Sequence, residues 1–409
     1  MKKITLSVTA ALLMASNAFA VDTKIDNVKV EGAAGLYYGT SDLGAKGALF
    51  DQGNVADGTV GNTVGDAFVT LKATADLSKN MKAGISATRI STLGLENNLV
   101  SGTFTGSHQN AVDDFTVVSE AWLNLGVSEK TELILGRQQL DTPLVFSETW
   151  SVTPNTFEAT IVQNKSINNV TLVGGHISAG NGSASVLAVN GEFTTFANNG
   201  AYAFGAIYED EKSSLKTQVW AYNIDSTTGA TDGATALWAD VELAPDNGLV
   251  VGAQYTQNEG KAAGSQTNDA TAFKVGYAKK DLFSVSAAYS TVGTTGDAGG
   301  NTGGGLQSKM YTEAWWNYGY VTRRDTTAMN VTAEYTISKG LEAGLYVTQT
   351  ETTDALAEDM SEVTVSLAKE YEDFSATLVV IQADAEDQNK INGIATAYTT
   401  VQVYLDASF

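Results

Sequence analysis

Apolar and polar residues alternate with a period of two along most of the chain. Ala67, Val69, Leu71, Ala73 and Ala75 are interleaved with Phe68, Thr70, Lys72, Thr74 and Asp76. Met329, Val331, Ala333, Tyr335 and Ile337 stand in the same relation to Asn330, Thr332, Glu334 and Thr336. So do Leu341, Ala343, Leu345 and Val347 against Glu342, Gly344, Tyr346 and Thr348. Successive side chains of a strand point to opposite faces, so each run predicts a strand with one apolar and one polar face. Runs of about ten residues match a tilted strand that crosses a bilayer, with lipid on one side and water on the other. Beyond the first residues there is no unbroken apolar run of about eighteen residues, so no transmembrane helix is predicted.

The connections fall into two kinds. Short turns are predicted at Leu77–Asn80, Ser128–Lys130, Ser166–Asn169, Glu209–Lys212, Ala244–Gly248, Lys279–Asp281, Ser338–Gly340 and Tyr371–Asp373. Long stretches rich in Gly, Asn, Asp and Thr separate these hairpins, as at Gly39–Gly65, Ser91–Asp114, Gly180–Gly200 and Thr291–Thr326. With a first strand at Val28–Tyr38 and a last at Tyr398–Phe409, the count reaches about eighteen, an even number that lets the two ends pair. The fold class predicted is all-β: a transmembrane antiparallel β-barrel with short periplasmic turns and long extracellular loops. The last strand carries Val401, Val403, Leu405, Ala407 and Phe409 on its apolar face, and a terminal Phe409 is expected to be read by barrel-assembly machinery.

The N-terminus explains how such a chain reaches its membrane. Lys2 and Lys3, the apolar Ile4–Met14 and the small-x-small Ala18-Phe19-Ala20 make residues 1–20 a signal peptide, leaving 21–409 as one barrel in the bacterial outer membrane. Losing the two lysines takes the formal charge from −22 to −24. So acidic a chain is not a nucleic-acid binder, and with no cysteine it has neither a disulfide scaffold nor a thiol nucleophile.

The segment Leu135–Gly175 resembles bacterial porins of the OprD type and the related Campylobacter-type major outer membrane porins. There, a strand ending in Gly-Arg-Gln leads into an inward-folded third loop that closes with Pro-Asn-Thr-Phe-Glu, here Pro154–Glu158. The resemblance implies a passive diffusion channel, often a homotrimer, with the third loop near 141–155 narrowing the lumen. Two of the chain's three prolines fall in this segment and fix its backbone without strand pairing. Carboxylate-guiding OprD-type channels rely on an arginine-rich ladder, whereas this chain has only Arg89, Arg137, Arg323 and Arg324.

Alternation then assigns charges to the lumen. Lys29, Glu31, Lys72, Lys82, Asp240, Glu242, Lys274, Glu334, Glu342 and Asp406 lie on water-facing positions, with Glu120 at the pore and Asp141 and Glu148 on the constriction loop. Arg137 falls in phase with Leu133 and Leu135, but the resemblance favours a lumenal position. The expected function is a water-filled, cation-preferring pore for small hydrophilic solutes, embedded in outer-membrane lipid and needing no cofactor. Asp113 and Asp114 could hold a structural calcium. With only His108 and His176, an enzyme is not expected. The alternative is a surface adhesin whose binding tip is the loop from Gly293 to Gly305 with Trp315, Trp316, Tyr318 and Tyr320. Tyr37, Tyr38, Tyr208, Tyr255, Tyr277, Tyr289 and Tyr335 are expected in interfacial girdles.

Overall fold

The computed structural model describes residues 25–43, 48–51, 53–54, 59–95, 100, 115–149, 152–182, 193–195, 199–225, 233–303, 305, 307–354, 359–384 and 397–409. Residues 1–20, read from the sequence as a signal peptide, and His108, Asp113 and Asp114 lie outside them. Eighteen long strands form one closed antiparallel barrel. They are β1 (Asp26–Ser41), β2 (Thr63–Ser78), β3 (Met81–Ser91), β4 (Phe115–Ser128), β5 (Thr131–Gln138), β6 (Phe157–Ile167), β7 (Val170–Gly180), β8 (Ala201–Asp210) and β9 (Leu215–Ile224). The second half comprises β10 (Ala234–Leu243), β11 (Leu249–Gly260), β12 (Thr267–Lys279), β13 (Phe283–Val292), β14 (Thr326–Ser338), β15 (Leu341–Thr352), β16 (Met360–Glu370), β17 (Ser375–Asp384) and β18 (Ala397–Ser408).

All eight short turns fall where the sequence predicts them. Every pairing but one joins sequence neighbours, and the exception closes the ring: β1 pairs with β18 from Ala33↔Ser408 to Ser41↔Thr400. Past the end of β18, Phe409 exchanges two backbone hydrogen bonds with Gly32, at 2.7 and 2.8 Å. Its ring lies across Gly32 on the outer surface, where a Cβ on residue 32 would come within 2.2 Å of a ring carbon.

The two faces separate as a lipid-immersed barrel requires. Val69, Phe204, Val219, Phe273, Val275, Met329, Val331 and Val365 are all exposed on the outer face. Tyr255, Tyr277, Tyr289 and Tyr335 also face outward, but Tyr37 does not. It is buried in the lumen with its ring 5.0 Å from that of Tyr404, because it shares the phase of Gly39 and Glu31. The alternation breaks once in β4, where a bulge at Ser119 shifts the register between Ser86↔Glu120 and Ala87↔Val118. Below the bulge Glu120 and Trp122 face the lumen; above it Val117 does so and Val118 faces out.

Candidate functional site

The lumen is narrowed by two loops that fold into it. The first follows β5. Leu140 to Ser147 make a small hairpin, with Ser147 N–H donating to the Leu140 carbonyl at 2.7 Å and Pro143 second in a turn closed between Thr142 and Val145. Its tip is apolar: Leu144 and Val145 are buried in one cluster with the lumen-facing Phe157, Ile161, Ile177, Trp220, Tyr222 and Trp238. The tryptophans meet this loop without orphaned N–H groups, since Trp220 donates to Gln218 at 2.7 Å and Trp238 to Asp240 at 2.6 Å. Farther along, Val152 packs on Tyr37 and Val64, and on Ile90 and Val117, so the loop reaches the wall on the opposite side.

The second inward segment lies between β13 and β14 and is held by backbone N–H groups together with side chains such as Asn301, Met310 and Val321. Glu362, buried on the lumenal face of β16, accepts from the N–H groups of Trp315 (2.8 Å), Trp316 (3.1 Å) and Asn317 (2.8 Å) and from the Asn317 amide (2.7 Å). Gln254 on β11 bridges the Lys309 carbonyl (2.8 Å) and the Tyr311 N–H (2.9 Å). The two loops are also joined to each other. Glu148, only 2% exposed, accepts from Asn301 Nδ2 and Gln307 N–H, both at 2.8 Å. Gly305 is required there, because a Cβ would lie 1.9 Å from the Glu148 carboxylate. Trp315, Trp316, Tyr318 and Tyr320 are thus inside the barrel and form no external tip.

Charged pairs line the remaining passage. Lys72 bonds both carboxylate oxygens of Glu120, at 3.1 and 3.2 Å, and Glu120 also accepts from Trp122 Nε1 and Gln139 Nε2. Across the register, Glu31↔Lys72↔Ser86↔Glu120 run as one lateral row. Lys274 pairs with Glu242 at 2.6 Å and lies 4.3 Å from the centre of the Tyr311 ring. Asp141, exposed on the first loop, pairs with Lys309 of the second. Lys29 and Lys82 occupy water-facing positions on β1 and β3.

Arg137 does not join them, which corrects the lumenal position expected from the resemblance. It pairs in register with Ala121, on the face of Leu133 and Leu135, so its side chain leaves the barrel. There it donates to the Val118 carbonyl (2.8 Å), forms an ion pair with Glu158 (2.9 Å), and lies 3.7 Å from the centre of the Phe193 ring. These partners offset the charge at the rim, and strand phase decides the facing.

A family model described as outer membrane porin, OprD family, matches residues 51–319. The chain belongs to the OprD family. Solved structures agree on the fold. OccK1 (OpdK) of Pseudomonas aeruginosa superposes with a TM-score of 0.73 at 14% identity, covering 94% of this chain and 99% of that one. OccK9 (OpdG) of the same organism gives 0.73 at 14%, covering 94% and 98%. OccAB1 of Acinetobacter baumannii gives 0.71 at 14%, covering 95% and 98%. No curated protein sequence matches. The chain is therefore an outer-membrane porin, and porins of this family are channels, not enzymes.

One carboxyl in this porin's second loop is expected to make the constriction sensitive to pH. Glu313 accepts from the Ser308 N–H (2.8 Å), the Ser308 hydroxyl and the Gly319 N–H (3.2 Å), clipping the two ends of its own segment together. Part of its surface stays accessible, yet desolvation outweighs these bonds and pushes its carboxyl from 4.5 up to about 7. A folded value above the unfolded one means that the fold favours the protonated form. The contribution is complete below about 4.5 and is lost as pH rises through about 7. Open-channel current noise should therefore be lower at about pH 5 than at about pH 8, and Glu313→Gln should abolish the difference. Wild-type noise that stays constant over that range would count against this account.

Proposed function

We propose that this porin is a diffusion pathway for small hydrophilic solutes and that it prefers cations. The observation carrying this reading is the charge on the water-facing register. Glu31, Asp66, Asp76, Glu120, Glu132, Asp240, Glu242, Glu334, Glu342 and Asp406 outnumber Lys29, Lys72, Lys82, Lys216 and Lys274. The strand arginines do not redress the balance, since Arg89 and Arg137 both take outward positions. Arg324 is held by Asp354 at 2.6 Å, and Arg323 lies 4.0 Å from the centre of the Tyr320 ring. An excess of fixed negative charge along a narrow wet path raises the local concentration of cations and lowers that of anions. Ion pairs such as Lys72–Glu120 leave that excess unchanged, while giving the wall a transverse dipole.

Planar-bilayer recordings under a potassium chloride gradient test the reading. The reversal potential should carry the sign of cation preference, and should move toward zero as the salt is raised and the wall charges are screened. A potential of the opposite sign would overturn the selectivity, and a bilayer without conductance steps would overturn the pore.

A further inference from the structure

A recess of about 350 Å³ opens in the lumen wall where the first loop leaves β5, lined by Lys72, Glu120, Trp122, Asn124, Ile134 and Gln138 with Gln139 at its edge. We infer that this recess is a solute subsite for a neutral, hydroxyl-rich six-membered ring, of the hexopyranose class. The inference rests on the diffusion-pathway reading above and adds a ligand class to it.

Three features of the recess select that chemistry. The first is a flat platform. The indole of Trp122 lies across Gly84, where a Cβ would be 2.4 Å from ring atoms, and its N–H is tied to Glu120 at 3.1 Å, so the ring plane is fixed. Trp220 lies across Gly205 in the same way but is covered by the first loop, whereas Trp122 keeps part of its surface open. A fixed aromatic face takes the C–H face of a pyranose with little ordering cost.

The second is the polar lining. Asn124, Gln138 and Gln139 bring three amides to the rim of one ring-sized space. Asn124 already donates to Glu132 at 3.1 Å and Gln139 to Glu120 at 3.2 Å, so each keeps one N–H and its oxygen for a ligand, and hydroxyls, which both donate and accept, match that pair. The Gln138 amide nitrogen is spent on the Gly136 and Ala159 carbonyls, at 3.3 and 3.2 Å, which leaves its oxygen to face a donor.

The third is the balance of charge. Lys72 and Glu120 are held together at 3.1 Å inside the recess. A cation stacked on Trp122 would lie beside the Lys72 ammonium, and an anion beside the Glu120 carboxylate. A neutral ring meets neither penalty and can bond to both groups.

The test uses the whole porin in planar bilayers, with glucose as the probe and sorbitol, an acyclic polyol, as its control at equal viscosity. Glucose should reduce the open-channel current and add noise beyond what sorbitol does. Trp122→Ala should conduct ions while weakening the glucose block about two- to tenfold, the scale of one aromatic contact. Asn124→Ala, which leaves the indole in place, should weaken it by a similar factor and serves if the first variant does not assemble. Equal effects of glucose and sorbitol on wild type, or a block unchanged in both variants, would overturn the subsite while leaving the pore reading intact. Absence of conductance in wild type would instead overturn the pore reading, and the subsite with it.

Discussion

Replacing Glu362 by alanine is expected to widen the channel. This one carboxylate receives three consecutive backbone N–H groups and an amide from the second inward loop, at 2.7–3.1 Å, and it is 1% exposed. Removing it strands four donors against the wall, each at a cost of about 1–3 kcal/mol unless water or movement satisfies them. The cheapest relief is for the segment to leave the wall. Glu148 and Gln254 still hold its other end, so the loop should swing out from Trp315 onward while the barrel stays closed. Single-channel conductance should rise and become variable, with Glu362→Gln intermediate because one of its two terminal atoms still accepts. A conductance equal to wild type in Glu362→Ala would mean that the remaining contacts, Trp315 on Tyr346 at 4.5 Å between ring centres and the Tyr398 hydroxyl donating to Asn317 at 2.6 Å, suffice to hold the loop.

The second large effect is on assembly. Phe273 is the middle residue of β12, faces outward and is 59% exposed, a surface that an inserted barrel turns toward lipid. Phe273→Lys should destabilise the inserted barrel by about 2–4 kcal/mol, the cost of a lysine near the bilayer midplane. Thr332→Lys, on the water-facing side of β14, should cost far less, although the added charge is the same. Urea titration of folding into lipid vesicles measures both. Equal midpoints for the two variants would refute the assignment of faces.

The fold is legible in the sequence because a barrel wall obeys one local rule. Alternation gives the strands, chain-reversal residues give the turns, and an even count allows closure. The bulge at Ser119 is an exception, and it cannot be read locally: the Ser119 hydroxyl donates to the Ser86 carbonyl on the neighbouring strand at 3.4 Å. The candidate site is less legible. Leu144 and Val145 in a proline-braced hairpin mark a loop with an apolar destination, and the family pattern located that loop. The second inward loop left no such mark, since many of its anchors are main-chain N–H groups and the acids they seek lie far away in sequence at Glu148 and Glu362. Arg137 shows the reverse case. Its strand phase with Leu133 and Leu135 pointed outward, and the analogy that favoured the lumen was the weaker guide.

The seam between β1 and β18 bears on how the structure is lost. Gly32 and Phe409 meet from opposite ends of the chain, and all the other strand pairs depend on that closure to avoid an open edge in lipid. A partly unzipped ring would leave two rows of unpaired amides in hydrocarbon, so intermediates are disfavoured and the wall should melt as a unit. Most strand pairs are local and form cheaply, whereas the last one must close the loop of the entire chain. Cooperativity in this porin is therefore set by its single longest-range pairing, and a weakened seam should show itself as lost sharpness in the unfolding transition before it shows as lost strand content.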